Sequence, residues 1–171
     1  MRKIVYSVAM SLDGFIAGRN GEFDWIVMDP EIDFTRMMSR FDTLLMGRRT
    51  FEAAQSQGGG AAMPGVKSVV VSRTLRQADH PGVTIIADDF DARVSQLRAQ
   101  PGRDIWLFGG GSLFRSLLDS GLVDIIEVAV IPVLLGGGVP LLPARTERSS
   151  LRLINSRTYK KTGTVSLEYA I

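Results

Sequence analysis

The sequence predicts an α/β fold in which a mostly parallel central sheet is flanked by helices and ends in an antiparallel C-terminal hairpin. Short apolar runs alternate with segments of helical spacing along most of the chain, which is typical of strands joined by helices. Ile105 to Phe108 is an unbroken apolar run that leads through three glycines into a helical pattern, as expected of a strand covered on both faces. Two strand-like segments meet near Lys161–Thr162–Gly163 and predict the hairpin.

Length and composition suit a single domain, with 171 residues, of which 45% are hydrophobic and 22% charged. The net charge is +2 and no run of Lys or Arg indicates nucleic-acid binding. The chain has no cysteine and one histidine, so we expect no disulfide, no thiol nucleophile and no metal site. Since no apolar stretch is long enough to span a membrane and no signal-peptide pattern precedes the first strand, we expect a cytoplasmic protein that does not bind membranes.

Each predicted element has a local signal. Apolar and β-branched runs predict strands over residues 3–10, 43–46, 67–72, 83–87, 105–108 and 122–130, with the hairpin over 151–160 and 164–171. Helices are predicted from Asp29, from Phe51, over residues 90–99 and after residue 111. In the first of these Asp29 would be the N-cap, Pro30 the first helical residue and Glu31 an acid in the first turn. Glycine-rich residues 55–65 predict a mobile loop, and residues 131–143 a second loop.

The glycines between the sixth strand and its helix, Gly109 to Gly111, are a candidate binding element. Without side chains they let a ligand approach the backbone, and the free N–H groups of the first helical turn would point at it. Such a turn suits a phosphate or a pyrophosphate. The alternative is a tight turn that needs glycine only for its dihedral angles. The spacing is not G-x-G-x-x-G, so an ordinary Rossmann domain is not indicated.

Further polar residues follow other strands of the predicted sheet. Arg48, Arg49 and Thr50 come after the second strand, and Ser72 and Arg73 after the third. In a parallel sheet the strand ends meet at one edge, where ligands of this fold class bind. Guanidinium groups suit phosphate oxygens. The pattern therefore predicts a phosphorylated dinucleotide, with its pyrophosphate on the glycine turn and a second phosphate held by arginines.

Four stretches follow one another along the chain: Val8–Ala17, Met46–Glu52, Val70–Arg73 and Phe108–Gly111. Together they resemble the dihydrofolate reductase-like superfamily, and most closely the RibD C-terminal domain, the reductase domain of riboflavin biosynthesis. The resemblance spans nearly the whole chain and implies one dihydrofolate reductase-like domain over residues 1–171. It also implies NADPH as the hydride donor and a homodimer.

The resemblance assigns cofactor contacts by position. Ala9 and Ile16 would line the nicotinamide pocket, and Gly47, Arg48 and Thr50 would hold the adenosine side and the pyrophosphate. Ser72 and Arg73 would flank the adenine and the 2′-phosphate. The residues that would cradle the pyrophosphate are Phe108, Gly109, Gly110, Gly111, Ser112 and Leu113. The arginines favour NADPH over NADH, because a 2′-phosphate needs a cationic partner.

The substrate side carries four candidates. The resemblance places Glu31 nearest the single acid of dihydrofolate reductases and Trp25 near their loop tryptophan; Asp13 is a second catalytic candidate and Phe34 a second substrate contact. The alternatives stay open: Asp13 would only bond its own turn, Glu31 would complement a helix N-terminus, and the two aromatic residues would be core. The Leu-Pro-x-Asp/Glu pattern of folate reductases is absent, which tells against folate reduction, and the Ser11–Leu12–Asp13–Gly14 pattern favours the riboflavin-pathway branch.

The sequence therefore predicts an NADPH-dependent reductase of a small heterocyclic substrate, resembling 5-amino-6-(5-phosphoribosylamino)uracil reductase. The cofactor would supply the hydride, so the protein needs only to orient two rings and to supply one proton. Three alternatives remain at this stage: a dihydrofolate or pteridine reductase, a nucleotide-binding module without turnover, and a phosphate-binding transferase.

Overall fold

The computed structural model describes residues 1–56, 65–144 and 147–171. The described strands are β1 (Ile4–Ser11), β2 (Phe15–Ala17), β3 (Phe41–Gly47), β4 (Lys67–Val71), β5 (Thr84–Ile86), β6 (Asp104–Gly109), β7 (Ile125–Ile131), β8 (Val139–Pro140), β9 (Arg152–Tyr159) and β10 (Thr164–Ala170). The described helices are α1 (Phe34–Met38), α2 (Arg48–Ser56), α3 (Phe90–Ala99) and α4 (Gly111–Asp119), with one short 3₁₀ turn at Gln77–Asp79.

Eight strands form one sheet in the order β5-β4-β3-β6-β1-β7-β10-β9, and β2 pairs with β8 in a small second sheet. The first six strands of that order run parallel, β10 is antiparallel to β7, and β9 is antiparallel to β10. This arrangement confirms the predicted fold class, including the C-terminal hairpin. Because the six parallel strands share one direction, their carboxyl ends all lie along one edge, which we call the C-terminal edge.

Both faces of the sheet are covered, which explains why the central strands read as unbroken apolar runs. On one face α3 and α4 bury Tyr6 and Leu107 together with Phe114, whose ring stacks on Tyr6 at 3.9 Å between centroids. On the other face the core contains Val5, Trp106 and Phe51 of α2, with the methionines of α1 packed against it. Alternate residues of β1 and β6 therefore enter opposite cores.

The helix predicted from Asp29 begins later, and this prediction was wrong. Its first residue is Phe34, and the N-cap is Asp33, whose carboxylate accepts a hydrogen bond from the Arg36 amide. Asp29 instead caps a turn by accepting from the Glu31 amide at 2.9 Å. An aspartate that bonds the backbone two residues on gives the same local pattern as a helix N-cap, so the sequence could not separate the two.

Three other predicted boundaries also differ from the structure. Helix α2 begins at Arg48 instead of Phe51, because Phe51 marks the buried face of the helix and not its start. Strand β7 begins at Ile125, after buried loop residues Leu122 and Val123 that were predicted to lie in it. The predicted loop 131–143 contains β8. That strand approaches β2 so closely that a Cβ at Gly138 would lie 2.1 Å from the Ala17 carbonyl oxygen.

Most of the predicted loop at 55–65 falls on residues 57–64, which lie outside the described residues. Among the helices that are described, none has the length and apolar character needed to cross a membrane.

Candidate cofactor and substrate site

The segments predicted to bind a nucleotide converge at the C-terminal edge. Gly47 pairs with Val71 across β3 and β4, and Met46 pairs with Gly109 across β3 and β6. The Thr50 hydroxyl lies 3.5 Å from where a Cβ would stand on Gly110. The structure therefore brings the first turn of α2 against the glycine turn, as the parallel topology predicts.

The glycine turn leads directly from β6 into α4. The N-cap of α4 is Gly110, and no side chain caps the helix, so its first-turn amides have no side-chain acceptor. The peptide bond between Gly109 and Gly110 is cis. A Cβ on Gly111 would lie 2.7 Å from the carbonyl oxygen of Pro140, so at this position the glycine is required by packing. Gly109 and Gly110 border the open space beside Thr50.

Two arginines at this edge differ in their partners. Arg48 is half-exposed and holds Glu52 at 3.0 Å in an i, i+4 ion pair. Arg73 is exposed and makes no hydrogen bond or ion pair with the rest of the described chain. Arg73 lines an open cleft of about 200 Å³ together with Asp88, Asp89 and Leu113. The cleft thus offers one free guanidinium group, with two carboxylates beside it.

The remaining cofactor candidates are distributed along the same edge. Ala9 is a partly exposed residue of β1, and Ile16 is a partly buried residue of β2. Ser72 is buried, and its hydroxyl accepts from the amides of Thr74 and Leu75, so it shapes the loop that presents Arg73. Phe108 packs edge-on against Trp106. Ser112 is exposed in the first turn of α4.

Asp13 is fully engaged in loop structure. Its carboxylate accepts from the Ser11 hydroxyl at 2.6 Å and from the amides of Leu135 and Gly136 at 3.1 and 2.7 Å. The Ser11 hydrogen bond lowers the pKa of Asp13; burial opposes this, and the two amide hydrogen bonds add to the lowering. Asp13 therefore ties the β1–β2 turn to the loop after β7, which favours the structural alternative over a catalytic role.

Glu31 lies beside the outer strand of the sheet. Its carboxylate is 3.6 Å from Arg157 of β9, and both side chains are about half-exposed. Arg157 pairs with Ser166 of β10, and β10 in turn pairs with β7. The backbone of Arg157 is thus three strands from Ala9, which is roughly 14 Å at normal strand spacing. This position gives no support to proton donation by Glu31 at the nicotinamide.

The two aromatic substrate candidates lie in the segment between β2 and β3. Trp25 is half-buried, and its indole N–H donates to the Glu22 carbonyl at 3.1 Å. It lines a second open cleft of about 400 Å³ with Arg19 and Gly137. Phe34 is 44% exposed on the first turn of α1, so it does not belong to the core. Both positions are compatible with ligand contact, which stays a prediction.

Asp29 anchors this segment to the C-terminal hairpin. It is 1% exposed, and its carboxylate accepts from the amide and the hydroxyl of Thr162 at 3.0 and 2.9 Å. Burial raises its pKa, but the hydrogen bonds from Glu31 and Thr162 and the charge of Lys161 outweigh burial, so the pKa lies below its ordinary value. The segment that carries Trp25 and Glu31 is therefore fixed at its far end to the turn between β9 and β10.

Sequence reasoning missed a charged pair on the sheet itself. Glu127 of β7 has a side chain that is 13% exposed, and Arg40 Nη2 lies 2.6 Å from its Oε1. Glu127 lies across from Ser7 of β1. A single acid inside the apolar run from Ile125 to Ile131 was the signal that could have identified it. Among the described residues no group of three potential ligands could hold a metal ion.

A match to the RibD C-terminal domain family covers residues 2–165 of the chain. The chain belongs to the RibD C-terminal domain family. It is 36% identical to the uncharacterized protein YyaP of Bacillus subtilis, over 98% of this chain and 94% of that protein. RibD C-terminal domains form a reductase family, which supports an oxidoreductase in general.

Solved structures agree with the fold. A crystal structure from Shewanella sp. PV-4, named as a candidate riboflavin biosynthesis protein, matches with a TM-score of 0.84 and 28% identity, over 99% of this chain and 98% of that one. The Thermotoga maritima diaminohydroxyphosphoribosylaminopyrimidine deaminase/5-amino-6-(5-phosphoribosylamino)uracil reductase matches with a TM-score of 0.75 and 16% identity. There the match covers 99% of this chain and 56% of the other, and it shows the fold alone. The resemblance to RibD C-terminal domains is confirmed.

Proposed function

We propose that this RibD C-terminal domain is an NADPH-dependent reductase of a small heterocyclic substrate in the cytoplasm. The observation that carries the proposal is the meeting of the uncapped α4 N-terminus, the Gly109–Gly111 turn and Arg73 along one edge of the sheet. Amides at a helix N-terminus and an unpaired guanidinium group are donors for two separate phosphates. A nicotinamide dinucleotide with a 2′-phosphate carries both.

The cofactor would lie across the C-terminal edge. Its pyrophosphate would contact the first-turn amides of α4, and its 2′-phosphate would lie beside Arg73. The nicotinamide would contact Ala9, because the small side chain of this residue leaves room for a ring on the surface of the sheet. NADPH supplies the hydride when bound, and the chain's own residues orient the two rings. Membership of a reductase family whose members generally use NADPH supports this assignment.

The proposed substrate class is supported by the same family. The Thermotoga relative is named for reduction of a phosphoribosylamino-uracil, and the match to its fold supports an aminopyrimidine as the first substrate to try. A pteridine is the alternative, because the partly exposed aromatic residues Trp25 and Phe34 would also accept a larger ring.

One rival function is favoured by a specific observation. Neither predicted acid is free to serve a substrate at the nicotinamide, since Asp13 is bonded within its loop and Glu31 pairs with Arg157. A nucleotide-binding module without turnover would be compatible with that arrangement. Such a module would bind NADPH yet oxidise none of it when mixed with aminopyrimidines and pteridines.

The proposal is tested by titrating the protein with NADPH and monitoring the fluorescence of Trp25 and Trp106. We expect saturable quenching with NADPH, followed by loss of the reduced nicotinamide signal when a suitable pyrimidine is added. Quenching without turnover against the whole panel would favour the binding module. If NADPH produces no saturable change, the proposed function is wrong.

We also propose that the protein forms a homodimer, as the family resemblance implies. The outermost strand, β9, has eight residues and no partner on its outer side among the described strands. Leu151, just before β9, is 42% exposed, and Leu153 and Ile154 of β9 are 51% and 45% exposed. An exposed apolar edge strand is a template for pairing with a second copy about a two-fold axis.

A further inference from the structure

The cleft that contains Arg73 has a buried apolar part and an exposed charged part. Ile86 and Leu113 are buried in it, and Phe90 is partly buried beside them. Arg73 and Asp88 are exposed, and the cleft has a volume of about 200 Å³. Apolar side chains beside a few hydrogen-bonding groups are the usual lining of a site for a small ligand. The cleft therefore suits the adenosine end of the proposed cofactor.

The pairing of β4 with β5 places Asp88 opposite Arg73. Val71 pairs with Ile86, and one residue further the Ser72 amide donates to the Ile86 carbonyl oxygen at 2.9 Å. Arg73 and Asp88 each follow a paired residue by two positions, on neighbouring strands whose spacing is roughly 5 Å. Both side chains line the same cleft, so they leave the two strand ends on the same side of the sheet.

These two opposite charges do not neutralise each other. Arg73 and Asp88 form no ion pair, and the Asp88 carboxylate accepts no hydrogen bond from any described residue. Arg48, at the same edge of the sheet, differs because its guanidinium group is paired with Glu52 at 3.0 Å. A guanidinium group and a carboxylate that share a cleft without pairing are both available to a ligand.

Asp89 is the second carboxylate of the cleft, and its backbone explains why an aspartate stands there. It has left-handed dihedral angles, with φ 41° and ψ 41°, at the turn from β5 into α3, and its side chain does not cap the helix. Aspartate adopts this conformation more readily than most residues. Asp88 has no positive φ, and no hydrogen bond accounts for its carboxylate. The carboxylate at 88 is therefore the one that calls for a ligand.

We propose that Asp88 is a cofactor-specificity residue that limits the preference for NADPH and makes NADH a second hydride donor. Its carboxylate repels the 2′-phosphate of NADPH beside Arg73, because the two groups carry like charges. NADH has a 2′-hydroxyl in place of this phosphate, and the carboxylate accepts a hydrogen bond from it. The inference rests on the proposed function, since both nucleotides bind at the same edge, but it concerns the choice between them.

Calorimetric titration of the wild-type protein and of Asp88→Asn with both nucleotides tests the inference. We expect the wild-type protein to bind NADH within about tenfold of its affinity for NADPH. Asp88→Asn should bind NADPH about threefold to tenfold more tightly, because a like charge is removed, and NADH about threefold more weakly. Asp79→Asn removes an exposed carboxylate outside the cleft and is the matched control, with both affinities unchanged. Asp89→Asn should change the ratio less than Asp88→Asn.

The salt dependence separates repulsion from a change in structure. The gain in NADPH affinity of Asp88→Asn should shrink as sodium chloride rises from about 50 mM to about 500 mM, since salt screens exposed charges. A gain that is independent of salt, an unchanged NADPH affinity in Asp88→Asn, or no measurable binding of NADH to the wild-type protein would overturn the inference. Binding that follows these expectations without any hydride transfer would overturn the proposed reductase function and leave the role of Asp88 in nucleotide choice supported.

Discussion

Arg73 is the residue through which cofactor choice can be tested. Its guanidinium group has no partner in the described chain, and it shares its cleft with Asp88 and Asp89. Arginine suits a 2′-phosphate, whereas an acid at such a site suits the 2′-hydroxyl of NADH. Arg48 differs, because a ligand must compete with Glu52 for its guanidinium group.

We predict that Arg73→Ala weakens NADPH binding about tenfold and leaves NADH binding nearly unchanged, because one exposed charge-assisted contact is lost. Arg48→Ala should also weaken NADPH binding more than NADH binding, but by a smaller factor. Calorimetric titration with both nucleotides measures the ratio. Arg103→Ala, just before β6 at the opposite edge of the sheet, is the control. Equal losses for the two nucleotides would remove the 2′-phosphate assignment.

Asp29 makes the stability of the segment between β2 and β3 depend on pH. Its folded pKa is below the ordinary value of 3.8, so its stabilising contribution is present above that pH and is lost as the pH falls through the folded pKa. We predict that Asp29→Asn lowers the melting temperature at neutral pH and that the difference from wild type shrinks on acidification below about pH 4. Melting followed by circular dichroism across that range measures it. A difference independent of pH would contradict the ionised tie to Thr162.

At the scale of elements, the turn from β6 to α4 combines two uses of glycine. Gly111 is packed against the backbone of Pro140, whereas Gly110 faces the space beside the Thr50 hydroxyl. The sequence left both explanations of the glycine turn open. The structure shows that packing accounts for Gly111 and that it leaves room at Gly110.

Alanine substitutions at Gly111 and Gly110 test packing and ligand binding separately. We predict that Gly111→Ala destabilises the fold by about 1–3 kcal/mol, because its Cβ would overlap a backbone oxygen. Gly110→Ala should melt near the wild-type temperature, since its Cβ would be 3.5 Å from Thr50, but it should weaken NADPH binding by obstructing the pyrophosphate. Thermal melts and NADPH titrations of both variants measure this. Normal NADPH affinity in Gly110→Ala would argue against a pyrophosphate at the turn.

Local signals predicted most elements but not the path between β2 and β3. The apolar run of β6, the helical spacing of α4 and the hairpin all matched, because each is specified by neighbours in sequence. Asp29 was assigned to a helix start because its decisive partner, Thr162, is 133 residues away. The strand pair β2–β8 was missed for the same reason, since its two halves are short and far apart.

At the scale of the whole molecule, the parallel topology is what the sequence predicted best. Once consecutive strands are joined by helices, their carboxyl ends must share an edge, so the convergence of Gly47, Arg73 and Gly109 followed without knowledge of the strand order. Side-chain pairs across the sheet could not be predicted in this way. The contact between Arg40 and Glu127 depends on the order and register of strands, which no local pattern specifies.

The unpaired outer side of strand β9 predicts a homodimer. We expect the protein to elute with twice its chain mass of 18.7 kDa in size-exclusion chromatography with light scattering. The double substitution Leu153→Lys with Ile154→Lys should give the monomer, since charges on an edge strand prevent pairing. Leu134→Lys, at an exposed site 71% accessible in the loop after β7, is the control and should remain dimeric. A dimer that survives the double substitution would place the interface elsewhere.

A crystal structure of the protein with NADPH tests the central claim most directly, because that claim is about where the two phosphate groups bind. We expect the pyrophosphate at the Gly109–Gly111 turn, the 2′-phosphate beside Arg73 and the nicotinamide over Ala9. A nucleotide bound at the opposite edge of the sheet, or an empty C-terminal edge at saturating NADPH, would contradict the account.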